Sequence, residues 1–448
     1  MKNIKKIFFV LFASLLLSSC AEEFIDTEPT RFKDAAQIIT DIASAESAVN
    51  GLYDRFQQVY ISGGYNAFMP GLYADELRHS GSFPSFAEFG ANDVSLNNAN
   101  NTSFWTDHYE TINAANIIID KLEEIEIDAE SAARFDAQAK AVRAYLYYNL
   151  VKLYGGVPLS LDGNTSATQI DSNPLPRSSA SEVYSQIMMD LEDALAGISG
   201  GSIYFFNENS VRVLKATVEM EMEMYSQAEE TIEPVIGAYS LASSYDDLFT
   251  GTANGQEAIL AIEFSDFDGS SYAFFYLQAG GRYEVAPRGT LLAAFEEGDL
   301  RTNQILNFGV EDAAPQIFKF KDPGSGSDDA YIYRYSHALL IYAELLARRD
   351  DPSASTFLNM VRERAGLEPK EINSSNVEEV IAQERFVEFY GENTDRLFTI
   401  KRLGLADDVI SSKPNSVFIP ERDNLWPIPQ QEIERNSAIS TADQNPGY

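Results

Sequence analysis

One cysteine, Cys20, occurs in the 448 residues, so no intramolecular disulfide framework holds this fold and its stability must rest on a buried core. Histidine is nearly as scarce. His79, His108 and His337 stand far apart, so His-Glu-x-x-His helices, Cys pairs and other metal-ligand spacings are missing, and no metal or cofactor is expected. No Gly-rich phosphate loop precedes a helix. Basic residues are also few: 33 Lys and Arg face 68 Asp and Glu, a formal net charge of -35. Such a surface repels nucleic acid and anionic headgroups. Beyond the first twenty residues no apolar run is long enough to span a bilayer as a helix.

The composition is otherwise that of a globular protein, with 45% hydrophobic and 12% aromatic residues. Lys2, Lys5 and Lys6 precede an apolar run from Ile7 to Leu17, which reads as a signal peptide over 1–19. Leu17-Ser18-Ser19-Cys20 then resembles a bacterial lipobox, which implies acylation of Cys20. Residues 20–31 are expected to be lipid anchor and tether, and 32–448 a single domain. Several acyl chains make such an anchor stable where one would not.

Helical periodicity dominates that domain. Phe135, Ala139, Val142, Leu146, Leu150 and Leu153 recur at three- and four-residue steps, as do Ile332, Tyr335, Leu339, Tyr342 and Leu346. Ser179 with Glu182, and Ser375 with Glu378, have the spacing of capping boxes, and Gly155-Gly156 with Pro158 closes the helix through Leu153. The segments pair as 42–59 with 105–125, 134–153 with 180–197, 210–223 with 225–238, and 331–348 with 352–365. Pairs of this size suggest tetratricopeptide-like units, although no 34-residue self-similarity is present. Irregular stretches at 61–104, 240–330 and 405–448 are too long for plain connections, and such loops are commonly functional or packed on a scaffold.

Several segments together resemble one family. They are Cys20 to Asp26 with Pro29; Trp105, Tyr109, Ile112, Ala115 and Asn116; Arg143-Ala144-Tyr145 through Tyr154-Gly155-Gly156-Val157-Pro158-Leu159; and Pro176-Arg177. Arg364-Ala365-Gly366-Leu367, Glu384-Arg385, Glu388, Gly391-Glu392, Arg396, Trp426-Pro427-Ile428-Pro429 and Gln444-Asn445-Pro446-Gly447-Tyr448 follow in order. In this the chain is similar to the SusD/RagB family, except that Asn393 and Thr394 lengthen one spacing. The resemblance implies a mainly α fold, a SusD-like superhelix of helix pairs packed with a long irregular region, with ligand loops around 61–104 and 240–330. It also implies a lipid-anchored protein of the outer membrane and cell surface that is no enzyme. Such a protein captures oligosaccharides and delivers them to a SusC-like TonB-dependent transporter. Peptide or glycopeptide capture on the same scaffold, an acid–base glycosidase, and a lid with little cargo contact are the alternatives.

Sugar binding asks for flat aromatic rings together with amides, carboxylates and arginine forks. Asp75, Arg78 and His79 lead into Phe83, Phe86 and Phe89, followed by Asn92, Asn97, Asn98, Asn100 and Asn101. Phe274, Phe275, Tyr276, Arg282 and Tyr283 form a second group that could stand opposite. From these the candidate glycan contacts are Asp75, Arg78, Phe83, Phe86, Asn100, Tyr276, Arg282 and Tyr283. The same phenylalanines equally suit packing of a loop, and the asparagines turns. The acidic balance favours a neutral oligosaccharide unless Arg78 or Arg282 offsets it. Glu384, Arg385, Glu388 and Arg396 read as structural arginine–carboxylate pairs, and Trp105 and Trp426 as packing residues.

Overall fold

A computed structural model describes residues 39–448; the leader, Cys20 and the tether to Arg31 lie outside the described residues. Helices dominate, and the strands form three two-stranded antiparallel ribbons. The elements used below are α1 (Ile42–Phe56), α2 (Tyr65–Tyr73), β1 (Leu77–His79), α3 (Pro84–Ala91), α4 (Ala99–Glu124), α5 (Ala129–Tyr154), α6 (Ala180–Gly197), α7 (Glu208–Glu221) and α8 (Tyr225–Ile232). After them come β2 (Ala258–Ile262), α9 (Tyr272–Tyr276), β3 (Val285–Pro287), β4 (Ile305–Leu306), β5 (Gln316–Ile317) and β6 (Ala330–Arg334). The chain then continues through α10 (Tyr335–Arg348), α11 (Ala354–Arg364), α12 (Val377–Phe389) and α13 (Asp395–Arg402).

The expected pairs form: α1 packs on α4, α5 on α6, α7 on α8 and α10 on α11. Their ends differ from the sequence reading for local reasons. Helix α4 starts at Ala99, because the Asn98 side chain accepts from the N–H groups of Asn100 (3.0 Å) and Asn101 (3.2 Å) and caps the first turn there. Pro234 cannot continue α8, which gives way to a single 3-10 turn over Glu233–Val235. Ser179 and Glu182 form their capping box. Ser375 caps nothing: its hydroxyl bonds Asn373 (2.6 Å), and Asn376 precedes α12. The stretch 61–104 is not irregular throughout, since it holds α2, β1, α3 and the start of α4.

Helix α5 is the centre of the bundle, with Phe135, Ala139, Val142, Leu146, Leu150 and Leu153 each at most 2% exposed. It stops where Gly155 takes φ 74°, a conformation that costs glycine little. The orphan carbonyls of its last turn are answered from distant parts of the chain. Leu153 O accepts from the Trp426 N–H (2.7 Å), and Tyr154 O from Arg177 Nη2 (2.7 Å) and Asn445 Nδ2 (3.0 Å). The segments around Arg177, Trp426 and Asn445 therefore wrap one helix end. Trp426 is 1% and Trp105 4% exposed, so both pack as expected. On the flank of α5, Arg143 holds Asp190 of α6 with two bonds (2.7 and 2.8 Å) and reaches Asn116 of α4 (2.8 Å).

The C-terminal helices are tied by buried ion pairs, in which Glu384 meets Arg301 and Arg362, Arg385 meets Asp395, and Arg396 meets Asp75. The lengthened turn at Asn393–Thr394 is closed by Asn393 Oδ1, which accepts from the Asp395 N–H (2.9 Å) at the start of α13.

Lys413 is buried without an ion pair among the described residues. Its ammonium donates to the carbonyls of Leu72 and Tyr73, both at 2.9 Å, while burial and then the nearby Arg288 push its pKa down to about 6. Between that value and 10.5, the ordinary lysine value, the unfolded chain holds a proton that the folded chain has released. Stability should therefore rise with pH through that window. Lys413→Met should flatten the rise in denaturation midpoints measured from about pH 6 to about pH 10.

Candidate functional site

Ribbon β1–β3 joins the two loop-rich stretches, with Leu77 opposite Pro287, Arg78 opposite Ala286 and His79 opposite Val285. The groups around 75–83 and 274–284, some two hundred residues apart in sequence, thus stand together. Just beyond β1 the chain passes Gly81, where any side chain would run into the carboxylate of Glu284. That carboxylate is buried and organises the region. It accepts from the N–H groups of Ser82 (2.8 Å) and Phe83 (3.0 Å) and from Arg282 Nε (2.8 Å), and it pairs with His79 Nε2 (3.1 Å). Burial opposes its ionisation, but Arg282 and the N–H donors outweigh burial and hold its pKa down at about 2.

The result is a pinned platform. The guanidinium of Arg282 lies over the Phe83 ring, 3.9 Å from its centre, and Arg282 Nη2 donates to Ser82 Oγ (3.1 Å). Arg282 is exposed and Phe83 half-buried. Beneath Phe83 lie Phe275 (6.1 Å between ring centres) and Phe86 (5.6 Å). Tyr65 packs edge-on to Phe275 (5.6 Å) and leads to Tyr60 (4.6 Å), both half-buried. Phe274, 40% exposed, stands at the rim against Phe275.

Successive strand residues face opposite ways, so Arg78 lies on the other side of the ribbon from Leu77 and His79. There its Nη2 approaches the Tyr283 hydroxyl (3.4 Å), which itself donates to Pro315 O (2.8 Å) at the β4–β5 hairpin. Tyr283 takes φ 55°, a left-handed conformation that turns the chain between Arg282 and Glu284.

Four of the candidate contacts do not belong to this surface. Asp75 is buried with both oxygens on Arg396 (2.7 and 2.8 Å), which locks α13 to the end of α2. Phe86 and Tyr276 are core residues, 1% and 0% exposed, and Tyr276 donates to Gly391 O (3.1 Å). Asn100 is buried, donating to Ser85 Oγ (2.9 Å) and accepting from Tyr60 (3.0 Å). Phe89 packs on Trp426, and Asn92 and Asn101 bond the carbonyls of Tyr73 and Pro427. Phe83, Arg282, Tyr283 and Arg78 remain at the surface. Sequence reasoning missed Tyr60, Tyr65 and Glu284; nothing local singled them out, because their partners come from the other stretch.

A cleft of about 1320 Å³ opens elsewhere, between α1, α4 and the segments 158–175 and 429–436. Several of its polar wall groups are already paired. Trp105 Nε1 donates to Glu432 (3.2 Å), the Tyr109 hydroxyl to Pro158 O (2.8 Å), and Asn113 to Asn164 O (2.8 Å). Among the described residues no cluster of His, Cys, Asp and Glu is placed to hold a metal ion, and no helix is long and apolar enough to cross a membrane.

Residues 316–448 match a family described as the SusD family, and residues 23–211 one described as "Starch-binding associating with outer membrane". Two SusD-like proteins of Formosa agariphila, P38 and P2, are 25% and 24% identical to this chain. P38 is aligned over 95% of the chain and 96% of its own length, and P2 over the whole of both. Among solved structures, a laminarin-binding SusD-like protein superposes with a TM-score of 0.79 at 24% identity, over 91% of this chain and all of its own. Surface glycan-binding protein A of Bacteroides thetaiotaomicron, solved with laminarihexaose, has a TM-score of 0.77 at 21% identity, over 91% of this chain and all of its own. With both its N-terminal and C-terminal parts matched by SusD families, the chain belongs to the SusD/RagB family.

Proposed function

We propose that the protein is a non-enzymatic surface lipoprotein that binds oligosaccharides and passes them to a SusC-like TonB-dependent transporter of the outer membrane. The observation that carries this reading is the Phe83–Arg282 platform. A half-buried ring and a guanidinium plane are held in one geometry by Glu284, and Tyr65 and Phe274 extend the aromatic surface. A preorganised ring gives apolar contact to a sugar face at low entropic cost. The laminarin and laminarihexaose named for two structural relatives support a glycan as cargo. The outer-membrane association in one family description, together with the lipobox-like run ending in Cys20, supports the location. A glycosidase would need a carboxyl group that gives up a proton near neutral pH. At this platform Glu284 is held ionised by its donors and cannot be that proton donor.

The test is calorimetry of the soluble chain from Ala21 onward against neutral and acidic oligosaccharides, with each mixture followed for hydrolysis products. Saturable binding without turnover is expected, and Phe83→Ala should weaken it roughly fivefold, the loss of one stacking ring. Binding that survives Phe83→Ala would move the site elsewhere, and released product would make the protein an enzyme.

A further inference from the structure

Positive charge is scarce in this chain, and most arginines of the described core are engaged by carboxylates. Arg143 holds Asp190, Arg334 holds Glu257, Glu388 and Glu392, Arg396 holds Asp75, and Arg402 holds Glu344. Two arginines on the far face of the β1–β3 ribbon differ. Among the described residues neither Arg78 nor Arg288 enters an ion pair. Arg78 makes one long hydrogen bond, to the Tyr283 hydroxyl at 3.4 Å, and Arg288 Nε donates to Leu77 O (2.9 Å). Both are half-buried, and none of their unpartnered nitrogens is sealed from solvent. They lie close enough to repel each other, since the Arg288 pKa is lowered by burial, raised by Asp75 and lowered again by Arg78. Asp75, the carboxylate near Arg288, has its two oxygens occupied by Arg396.

A structural arginine is normally satisfied, because a partly desolvated cation without a counterion is costly. Two of them near each other, with unpartnered nitrogens open to solvent and one beside a phenol, match the planar oxyanion of a ligand. For a neutral sugar the paired charge gains little, because hydroxyls are served as well by amides and do not offset the mutual repulsion. For an anionic sugar it supplies the local attraction needed against a net charge of -35. Resting on the glycan-binding reading above, we propose that Arg78 and Arg288, with Tyr283, hold the oxyanion of an acidic oligosaccharide, a uronate carboxylate or a sulfate ester. This reverses the neutral preference drawn from net charge alone, because Arg78 and Arg288 stand at the ribbon outside any ion pair among the described residues.

The soluble chain would be titrated at low and high salt with an oligogalacturonate, a sulfated carrageenan oligosaccharide and neutral laminarihexaose. At least one acidic probe should bind more tightly than the neutral one, with the advantage shrinking as salt rises; which of the two wins separates carboxylate from sulfate. Arg78→Gln should weaken the acidic probe about tenfold or more and leave the neutral one unchanged, while Arg78→Lys, which keeps the charge but not the fork, should fall between. Thermal melts of both variants exclude a folding defect. Laminarihexaose binding as tightly as either acidic probe, or Arg78→Gln affecting all sugars alike, would overturn the proposal while leaving glycan capture intact. If no sugar binds the parent chain, the glycan-binding reading itself fails, and this inference with it.

Discussion

Glu284→Ala is expected to abolish most sugar binding while leaving the helical bundle folded. The carboxylate is the common acceptor for the Ser82 and Phe83 N–H groups, Arg282 and His79, and so joins the loop before α3 to the segment after α9. Without it two N–H donors lose their partner, Arg282 is released from its place over Phe83, and the platform must be ordered anew with each binding event. The loss of several charge-assisted bonds amounts to about 2–3 kcal/mol, or roughly a hundredfold in affinity. Glu284→Gln keeps an acceptor oxygen and the shape, so it should recover part of the affinity. Calorimetry on both variants beside thermal melts separates positioning from folding: a Glu284→Ala protein that binds like the parent would deny the residue any part in the site.

The pH dependence gives a second readout on the same residue. Its pKa is depressed in the folded state to about 2 from 4.5. The stabilisation it supplies is therefore complete above the ordinary value and is lost as pH falls through that interval. Sugar affinity should hold at neutral pH and decline only in strong acid, as the platform loosens.

Arg334→Met should produce the largest loss of stability of any substitution considered for this chain. The guanidinium is fully buried where β6 meets α10, and it bonds Glu257 (2.9 Å), Glu388 (2.8 Å) and Glu392 (2.9 and 3.0 Å). Arg301 and Arg364 share Glu388, and Lys319 shares Glu392, so strand β6, helix α12 and the turn after it are fastened at one point. Removing the central cation leaves buried carboxylates short of a partner, which costs about 3–5 kcal/mol. By contrast Arg349→Gln, which breaks an exposed pair with Glu229, should leave the denaturation midpoint unmoved. The acid limb reports the same network. Burial opposes ionisation of Glu388, yet Arg364, Arg334 and Arg301 keep its pKa far below the usual carboxylate range. Its contribution is intact above the ordinary carboxylate value and fails only well below it. With Arg334 gone, acid unfolding should begin at higher pH. An Arg334→Met protein with parental midpoints at neutral and acid pH would show that the ion pairs only decorate a core stable without them.

Much of the scaffold was legible because helices are local. The apolar face of α5 repeats within single turns, Ser179 and Glu182 cap a helix three residues apart, and Gly155 can stop one alone. Ends set by local side-chain bonds outside the apolar pattern were not, as at Asn98, which caps α4 earlier than that pattern starts, and at Ser375, which turns to Asn373. Phe83, Phe86 and Phe89 show the limit most plainly. They share one three-residue rhythm, yet Phe83 reaches the surface under Arg282, Phe86 enters the core against Phe275, and Phe89 packs on Trp426.

By itself the sequence determined the helical class, through apolar periodicity within a few turns, and the family, through the order of its motifs from Cys20 to Tyr448. The tertiary structure alone decided which aromatic and basic side chains face outward. That choice rests on the β1–β3 pairing and on Glu284, contacts between residues some two hundred positions apart. No local pattern encodes them, because the two stretches acquire opposite faces only once the helical bundle has brought them together.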